Sequence, residues 1–310
     1  MKTVDLKYPI LDNQDHTGDA VCAIGFFDGI HKGHQYVLQT AKDIAKRLNK
    51  KLAVMTFTPH PSVVIRGNQT KFTYLNTFDQ KKKILSDFGV DILYVIHFDS
   101  TVACLEPQVF IDQYIVGLNI SQLVCGFDFT YGYRGAGNVN TLISHSKERF
   151  GIHVVEKYHE DNEKVSSTRI RHLLAEGKVE EASILLTRPL MTEGTVVHGY
   201  KRGREIGYPT ANIAVDPEQL MPKNGVYYVT VIINEQTYHG MASLGHNPTF
   251  ESMDSEVKCE VHIFDFNQSV YDQRITVCWQ KYIRPEYKFD HLDQLIEQLK
   301  DDEKQIRQLF

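Results

Sequence analysis

The strongest constraint in this sequence is a rhythm. Between residues 20 and 155, five short apolar runs recur at 20–26 (AVCAIGF), 51–57 (KLAVMTF), 91–98 (DILYVIHF), 120–126 and 152–155. They are rich in the residues that favour strands, and stretches with helical spacing follow at 34–48, 77–88, 106–118 and 140–150. Connections that long are not hairpins, so the strands should pair in parallel with helices on both faces. Sheets of this kind take their ligands beyond the carboxyl ends of the strands. Two short helices, at 168–176 and 179–186, are expected to close this half. After Arg188-Pro189 the rhythm breaks. Short strand candidates at 192–198, 225–233, 237–244, 257–266 and 274–282 have little helix between them. Asn234-Glu235-Gln236 is a hairpin-length gap. This half predicts a small antiparallel β-barrel, capped by an amphipathic helix over 292–309. The expected fold class is α/β, with a parallel sheet in domain 1–186 and the barrel with its C-terminal helix in domain 187–310. Residues before 20 carry no assignable pattern.

A chain of 310 residues has room for two such domains, and 42% hydrophobic with 24% charged residues is an ordinary globular composition. The net charge of −5 argues against a basic protein built to neutralise nucleic-acid backbones. No apolar run approaches the roughly 18 residues of a membrane-spanning helix. The first twenty residues carry Asp5, Asp12, Asp15 and Asp19 and do not read as a secretory leader. Five scattered cysteines without C-x-x-C suggest neither a disulfide framework nor a zinc knuckle. The expected compartment is the cytoplasm.

The first strand runs into Gly25-Phe26-Phe27-Asp28-Gly29-Ile30-His31-Lys32-Gly33-His34, where a helix begins. Gly25 and Gly29 allow a tight turn and close approach of backbone to a phosphate. The helix start supplies unpaired N–H groups and a positive dipole end, both suited to an anion. His31 and His34, three residues apart, add imidazole donors that can steady charge on a polyphosphate as a leaving group departs. H-x-G-H should occur by chance about 0.04 times in a chain of this composition. A metal site built from His31, His34 and His60 is the competing chemistry, without an H-E-x-x-H pattern behind it. Pro59-His60-Pro61 ends the second strand and would set His60 beside the cleft. At Ser166-Ser167-Thr168-Arg169-Ile170-Arg171 a hydroxyl can cap a helix. Two arginines in that first turn oppose the helix dipole unless a phosphate arrives there.

The second half carries a different pattern. Gly199, Gly203 and Gly207 are interleaved with Lys201, Arg202 and Arg204, and Tyr208-Pro209-Thr210-Ala211-Asn212 follows. This is not a P-loop, because no strand–loop–helix surrounds it. Thr210 and Asn212 alternate across Ala211, so their oxygens can face one side and ligate a hard cation such as Mg²⁺. In CEVHIFDF, at 259–266, Glu260 should share a face with His262 and Phe264, placing a carboxylate on the packed side of a barrel wall.

The motifs at 25–34, 59–61, 126–132 (GFDFTYG) and 166–171 resemble the amino-terminal module of bacterial bifunctional riboflavin kinase/FAD synthetases. That resemblance implies a Rossmann-like parallel sheet of the H-x-G-H nucleotidylyltransferase type. It implies that His31 and His34 hold the ATP phosphates and stabilise the transition state. Arg169, Ser167 and Thr168 would grip the triphosphate, Gly25, Phe26, Asp28 and Gly29 would line the ATP side, and His60 and Asp128 the flavin side. G-x-P-T-A-N at 207–212 is similar to the riboflavin kinase signature, implying Thr210 and Asn212 for Mg²⁺ and phosphate and Arg204 as a phosphate contact. E-V-H at 260–262 resembles the strand whose Glu is general base toward the ribityl hydroxyl, and Arg284 and Glu286 lie in what looks like the flavin-side segment. The implied substrates are riboflavin, FMN and ATP, with FAD as product. Nucleic acid and membrane are not implied, and a homo-oligomer is left open. Two departures stand out: Ser243 where the family usually has a nearby Asn, and Ser269-Val270-Tyr271-Asp272 where it commonly shows a D-L-Y-G turn. An adenylyltransferase with a weak kinase half, and a non-catalytic flavin-sensing or nucleic-acid-binding regulator, are the alternatives.

Overall fold

A computed structural model describes residues 1–10, 19–65, 67, 72–199, 202–246 and 257–310. Tyr200 and Lys201 of the glycine-rich loop, Asp12 and Asp15 lie outside the described residues. The chain divides by packing into two compact units, residues 1–167 and 168–310.

In the first unit, Lys2–Leu6, Ile92–His97, Lys51–Thr58, Ala20–Ile24, Ile120–Gly126 and Gly151–Val155 form a six-stranded sheet in that spatial order. Every neighbouring pair is parallel. Successive residues feed opposite cores: Ala20, Cys22 and Ile24 pack on one face, Val21 and Ala23 on the other. The edge strand Lys2–Leu6 was not expected. KTVDL buries only its last residue, so its sequence shows no apolar run. The helix expected over 106–118 is a short α-helix, Pro107–Ile111, widened into a π-helical turn at Asp112–Val116. From the central strand Ala20–Ile24 the chain first builds the side holding Lys51–Thr58 and Ile92–His97, then crosses to Ile120–Gly126 on the other side. That reversal opens a crevice at the carboxyl end of the sheet, the place where open α/β sheets bind ligands.

In the second unit, Leu190–Val197, Ala211–Val215, Val257–Ile263, Gln236–His246, Gly225–Ile233 and Arg274–Arg284 close into an antiparallel barrel. Its buried Trp279 donates from Nε1 to Thr192 Oγ1 at 2.8 Å, satisfying two polar groups inside an otherwise apolar wall. Helix Val179–Leu186 packs on the barrel strands, and Lys223 N donates to the Leu174 carbonyl at 2.9 Å. Most of Ser167–Glu176 and all of Val179–Leu186 therefore group with the barrel, ahead of the boundary at 186/187 read from the sequence. The C-terminal helix Leu292–Arg307 is held by Ile306, in the cluster of Tyr208, Val226, Met241 and Phe264.

Candidate functional site

Three segments singled out in the sequence leave the carboxyl ends of adjacent strands: residues 25–34, 59–61 and 126–132. In the first, Phe27, Gly29 and Ile30 all have left-handed backbone, with φ of 56°, 83° and 43°. Phe27 and Ile30 pay that strain because their side chains are almost wholly buried. His31 then caps helix Lys32–Leu48, its Nδ1 accepting from His34 N at 3.2 Å. With Nδ1 an acceptor, the His31 ring carries a proton on Nε2. The H-x-G-H spacing has a steric reason. A Cβ on Gly33 would lie 3.2 Å from His31 Cε1, so glycine makes room for the capping ring. One turn of helix brings His34 over it: the two imidazoles stack with centroids 3.7 Å apart and planes 14° apart.

Stacked rings in a buried place cannot both be cations. Burial first, then the charges of His31, Lys81 and Lys164, hold His34 well below its ordinary pKa, so it is neutral at pH 7. Its Nδ1 is buried without a hydrogen-bond partner. A polar atom left so is costly unless a ligand completes it. A neutral His34 stacked on His31 at a helix N-terminus fits a polyphosphate.

The other residues of this unit have structural employment as well. Asp28 is buried, its Oδ1 accepting from Leu75 N at 3.0 Å and its carbonyl from Ser167 Oγ at 2.9 Å. Ser167 thereby ties the start of helix Ser167–Glu176 to the glycine-rich turn; Thr168 and Arg169 are the next residues of that helix and group with the second unit. His60 stacks on Phe72 and meets Phe26 edge-on, both at 4.2 Å, while Nδ1 bonds to Ser62 Oγ at 2.6 Å. Among the described residues no group of three or more His, Cys, Asp or Glu could hold a metal ion, so nothing supports the three-histidine metal reading. Asp128 is exposed and pairs with Lys164 at 2.9 Å.

In the barrel, Cys259, Val261 and Ile263 point inward, and Glu260 and His262 face outward. The expected packed face for Glu260 is thus corrected: Phe264 falls after the strand ends at Ile263, where alternation stops, and its burial says nothing about Glu260. Glu260 lies directly opposite Asn212 on one neighbouring strand and Ser243 on the other, giving one polar row across three strands. Lys258 holds its carboxylate at 2.6 Å. Gly199 makes space for the row, since a Cβ there would meet the Asn212 amide at 2.2 Å. His262 Nδ1 bonds to the Pro209 carbonyl at 2.7 Å, fixing the loop that carries Thr210. Arg204 donates to Tyr271 Oη at 3.0 Å. Asp272, at the departure from D-L-Y-G, does adopt left-handed backbone at φ 63°. Arg284 is bound to Asp302 through three bonds of 2.7–3.0 Å, in a pair only 10% and 2% exposed, so its guanidinium anchors the C-terminal helix. Glu286 is exposed, with its carboxylate lying over Gly245.

The sequence did not point to Lys81, Lys258 or Tyr271. For Lys81 a signal existed: it shares a helical stripe with Ile84, Leu85 and Phe88, masked by its neighbours Lys82 and Lys83.

The FAD synthetase family model matches residues 13–169, and the riboflavin kinase model residues 186–310. Bifunctional riboflavin kinase/FMN adenylyltransferases of Listeria monocytogenes and Bacillus subtilis are 43% and 41% identical, each over 100% of this chain and 98% of theirs. A crystal structure from Streptococcus pneumoniae, named a macrolide-efflux protein, superposes with TM-score 0.90 at 38% identity over 99% of both chains. That name departs from those of the curated relatives, and no helix described here is long and apolar enough to cross a membrane. On these matches, and with a parallel sheet preceding a closed antiparallel barrel, this chain belongs to the bifunctional riboflavin kinase/FMN adenylyltransferase family.

Proposed function

We propose that the chain phosphorylates riboflavin to FMN with ATP in its second half and adenylylates FMN to FAD in its first. The observation that carries the reading is His34, neutral, with an unpartnered Nδ1 and stacked on His31, at the carboxyl end of the parallel sheet. An FMN phosphate oxygen attacks the α-phosphorus of ATP, the bond to the β-phosphate oxygen breaks, and pyrophosphate leaves. His31 and His34 donate to the phosphate oxygens as charge develops on them. No covalent enzyme intermediate is needed. Arg169, with Ser167 and Thr168, is assigned to the triphosphate by the S-S-T-R-I-R motif at 166–171. Gly25, Phe26, Asp28 and Gly29 shape the loop, and His60 and Asp128 border the flavin.

In the kinase half, Glu260 accepts the proton of the ribityl hydroxyl as its oxygen attacks the γ-phosphorus and ADP leaves. The Asn212 amide, opposite Glu260, and the Thr210 hydroxyl, two residues before it, are hard oxygen donors, and the absence of a Cβ at Gly199 leaves room for the amide. This donor set fits Mg²⁺, which when bound would neutralise phosphate charge. Arg204, steadied by Tyr271, contacts phosphate, and Glu286 lies on the flavin side. The two activities are assigned to 1–186 and 187–310, and the cytoplasm supplies ATP. The test is pure protein with riboflavin, ATP and Mg²⁺, with FMN and FAD separated over time. Both should appear in sequence. Absence of both refutes the proposal, and FAD from added FMN without any FMN from riboflavin leaves an adenylyltransferase alone.

A further inference from the structure

Beneath the strained turn lies a buried lysine whose ammonium reaches the turn's backbone. Lys81, on helix Phe78–Phe88, is 3% exposed. Its Nζ donates to the Phe26 carbonyl at 2.8 Å and stands 4.1 Å from the centre of the Phe26 ring. The same carbonyl already accepts from Thr56 Oγ1 at 3.0 Å, so it would not be orphaned without the lysine. A buried ammonium is expensive, and here it is favoured by the buried Asp28 carboxylate. We infer that Lys81 is a positioning residue of the adenylyltransferase site: it fixes the Phe26 carbonyl, and with it the turn leading to His31, and places a buried positive charge within reach of His34.

The inference rests on the proposed function of that crevice. The charged groups around Lys81 are consistent with it. Asp28, on the turn itself, favours the ammonium, while burial pushes its pKa down to about 8. On the first helix, Lys81 is among the cations that keep His34 neutral, together with Lys164 from beyond the sheet. The ammonium is therefore present below pH 8 and lost as pH rises through it. An anionic polyphosphate arriving at His31 and His34 would meet a charge that water does not screen.

The experiment measures kcat/KM for FAD formation from FMN and ATP, riboflavin phosphorylation and Tm, in full-length wild type, Lys81→Met and Lys81→Arg. Lys81→Met should lower FAD formation at least ten-fold while the kinase rate is unchanged, with a lower Tm because the buried Asp28 loses a favouring cation. The wild-type kcat/KM should fall above pH 8, and Lys81→Arg, charged throughout, should keep its rate there. Undiminished FAD formation by Lys81→Met overturns the inference, as does a loss that only parallels losses in Tm and kinase rate. Should Lys81→Met not fold, the pH profile decides: an alkaline fall in Lys81→Arg matching that of wild type refutes the role. Wild type that forms no FAD brings down the reading of the crevice and Lys81's role with it, an outcome distinct from failure of the variants alone.

Discussion

Replacing Glu260 by Gln keeps the shape of the side chain and removes its ability to take a proton. The geometry separates two consequences. Glu260 is on the outer wall of the barrel, its side chain 30% exposed and its partner Lys258 43% exposed. An ion pair so open to water is worth about 0–1 kcal/mol, so Tm should move little. A positioned general base contributes roughly 10²–10⁴ in rate, or about 3–5 kcal/mol of transition-state stabilisation. Chemistry outweighs stability several-fold here. Riboflavin phosphorylation should fall by two to four orders of magnitude, with Mg²⁺-ATP binding little changed because Thr210 and Asn212 are intact. FMN supplied from outside should become FAD at the normal rate, since His31 and His34 belong to the other unit. Both turnover rates and Tm are measured on this one variant. Near wild-type phosphorylation removes Glu260 from the catalytic residues, and a large drop in Tm with parallel loss of both activities makes it structural.

Three more outcomes follow from the same geometry. His31→Ala removes both the cap of the first helix and a phosphate donor, so FAD formation should slow by two or more orders of magnitude while FMN formation survives; equal loss of both would show that the sites are not independent. Asp302→Ala strands the buried Arg284 guanidinium and should cost about 3–5 kcal/mol, read as denaturant midpoint, with Arg284→Met/Asp302→Leu recovering most of it; a neutral Asp302→Ala would free Arg284 for a flavin-side role. A fragment of residues 168–310 should be more stable to denaturant than one of 187–310, because helix Val179–Leu186 buries Val179, Ala182, Leu185 and Leu186 in that unit; equal midpoints would refute this.

Where the sequence was legible, one element carried its own signal. The strands Ala20–Ile24, Lys51–Thr58 and Ile92–His97 are buried on both faces, so their apolar runs are unbroken and no partner is needed to read them. H-x-G-H was legible for a similar reason, since capping, the missing Cβ of Gly33 and the stacking of His34 all act within one helical turn. Lys2–Leu6 was not, because an edge strand needs apolar residues on few positions. Nor was the face of Glu260, which depends on where Val257–Ile263 stops alternating. Arg284 shows the limit most clearly. Its position in a flavin-like motif suggested a ligand contact, yet Asp302, distant in sequence, takes the guanidinium in a buried bidentate pair.

The two sites also differ in how they obtain their electrostatics, and that difference bears on where further determinants lie. In the sheet unit, charge is controlled by burial: His34 is kept neutral, Lys81 is held charged against desolvation, and Asp28 is spent on Leu75 and on favouring Lys81. Each depends on groups far apart in sequence, so substitutions beneath the turn should alter catalysis without touching substrate. In the barrel unit, Asn212, Glu260 and Ser243 stand in one row on an outer face that water reaches. On the proposed reading of that row as the kinase site, solvent screens it until substrates cover it, so its field would come from what binds rather than from buried protein charge. Changes around the sheet site should therefore act through pH profiles, and changes around the barrel site through substrate and metal dependence.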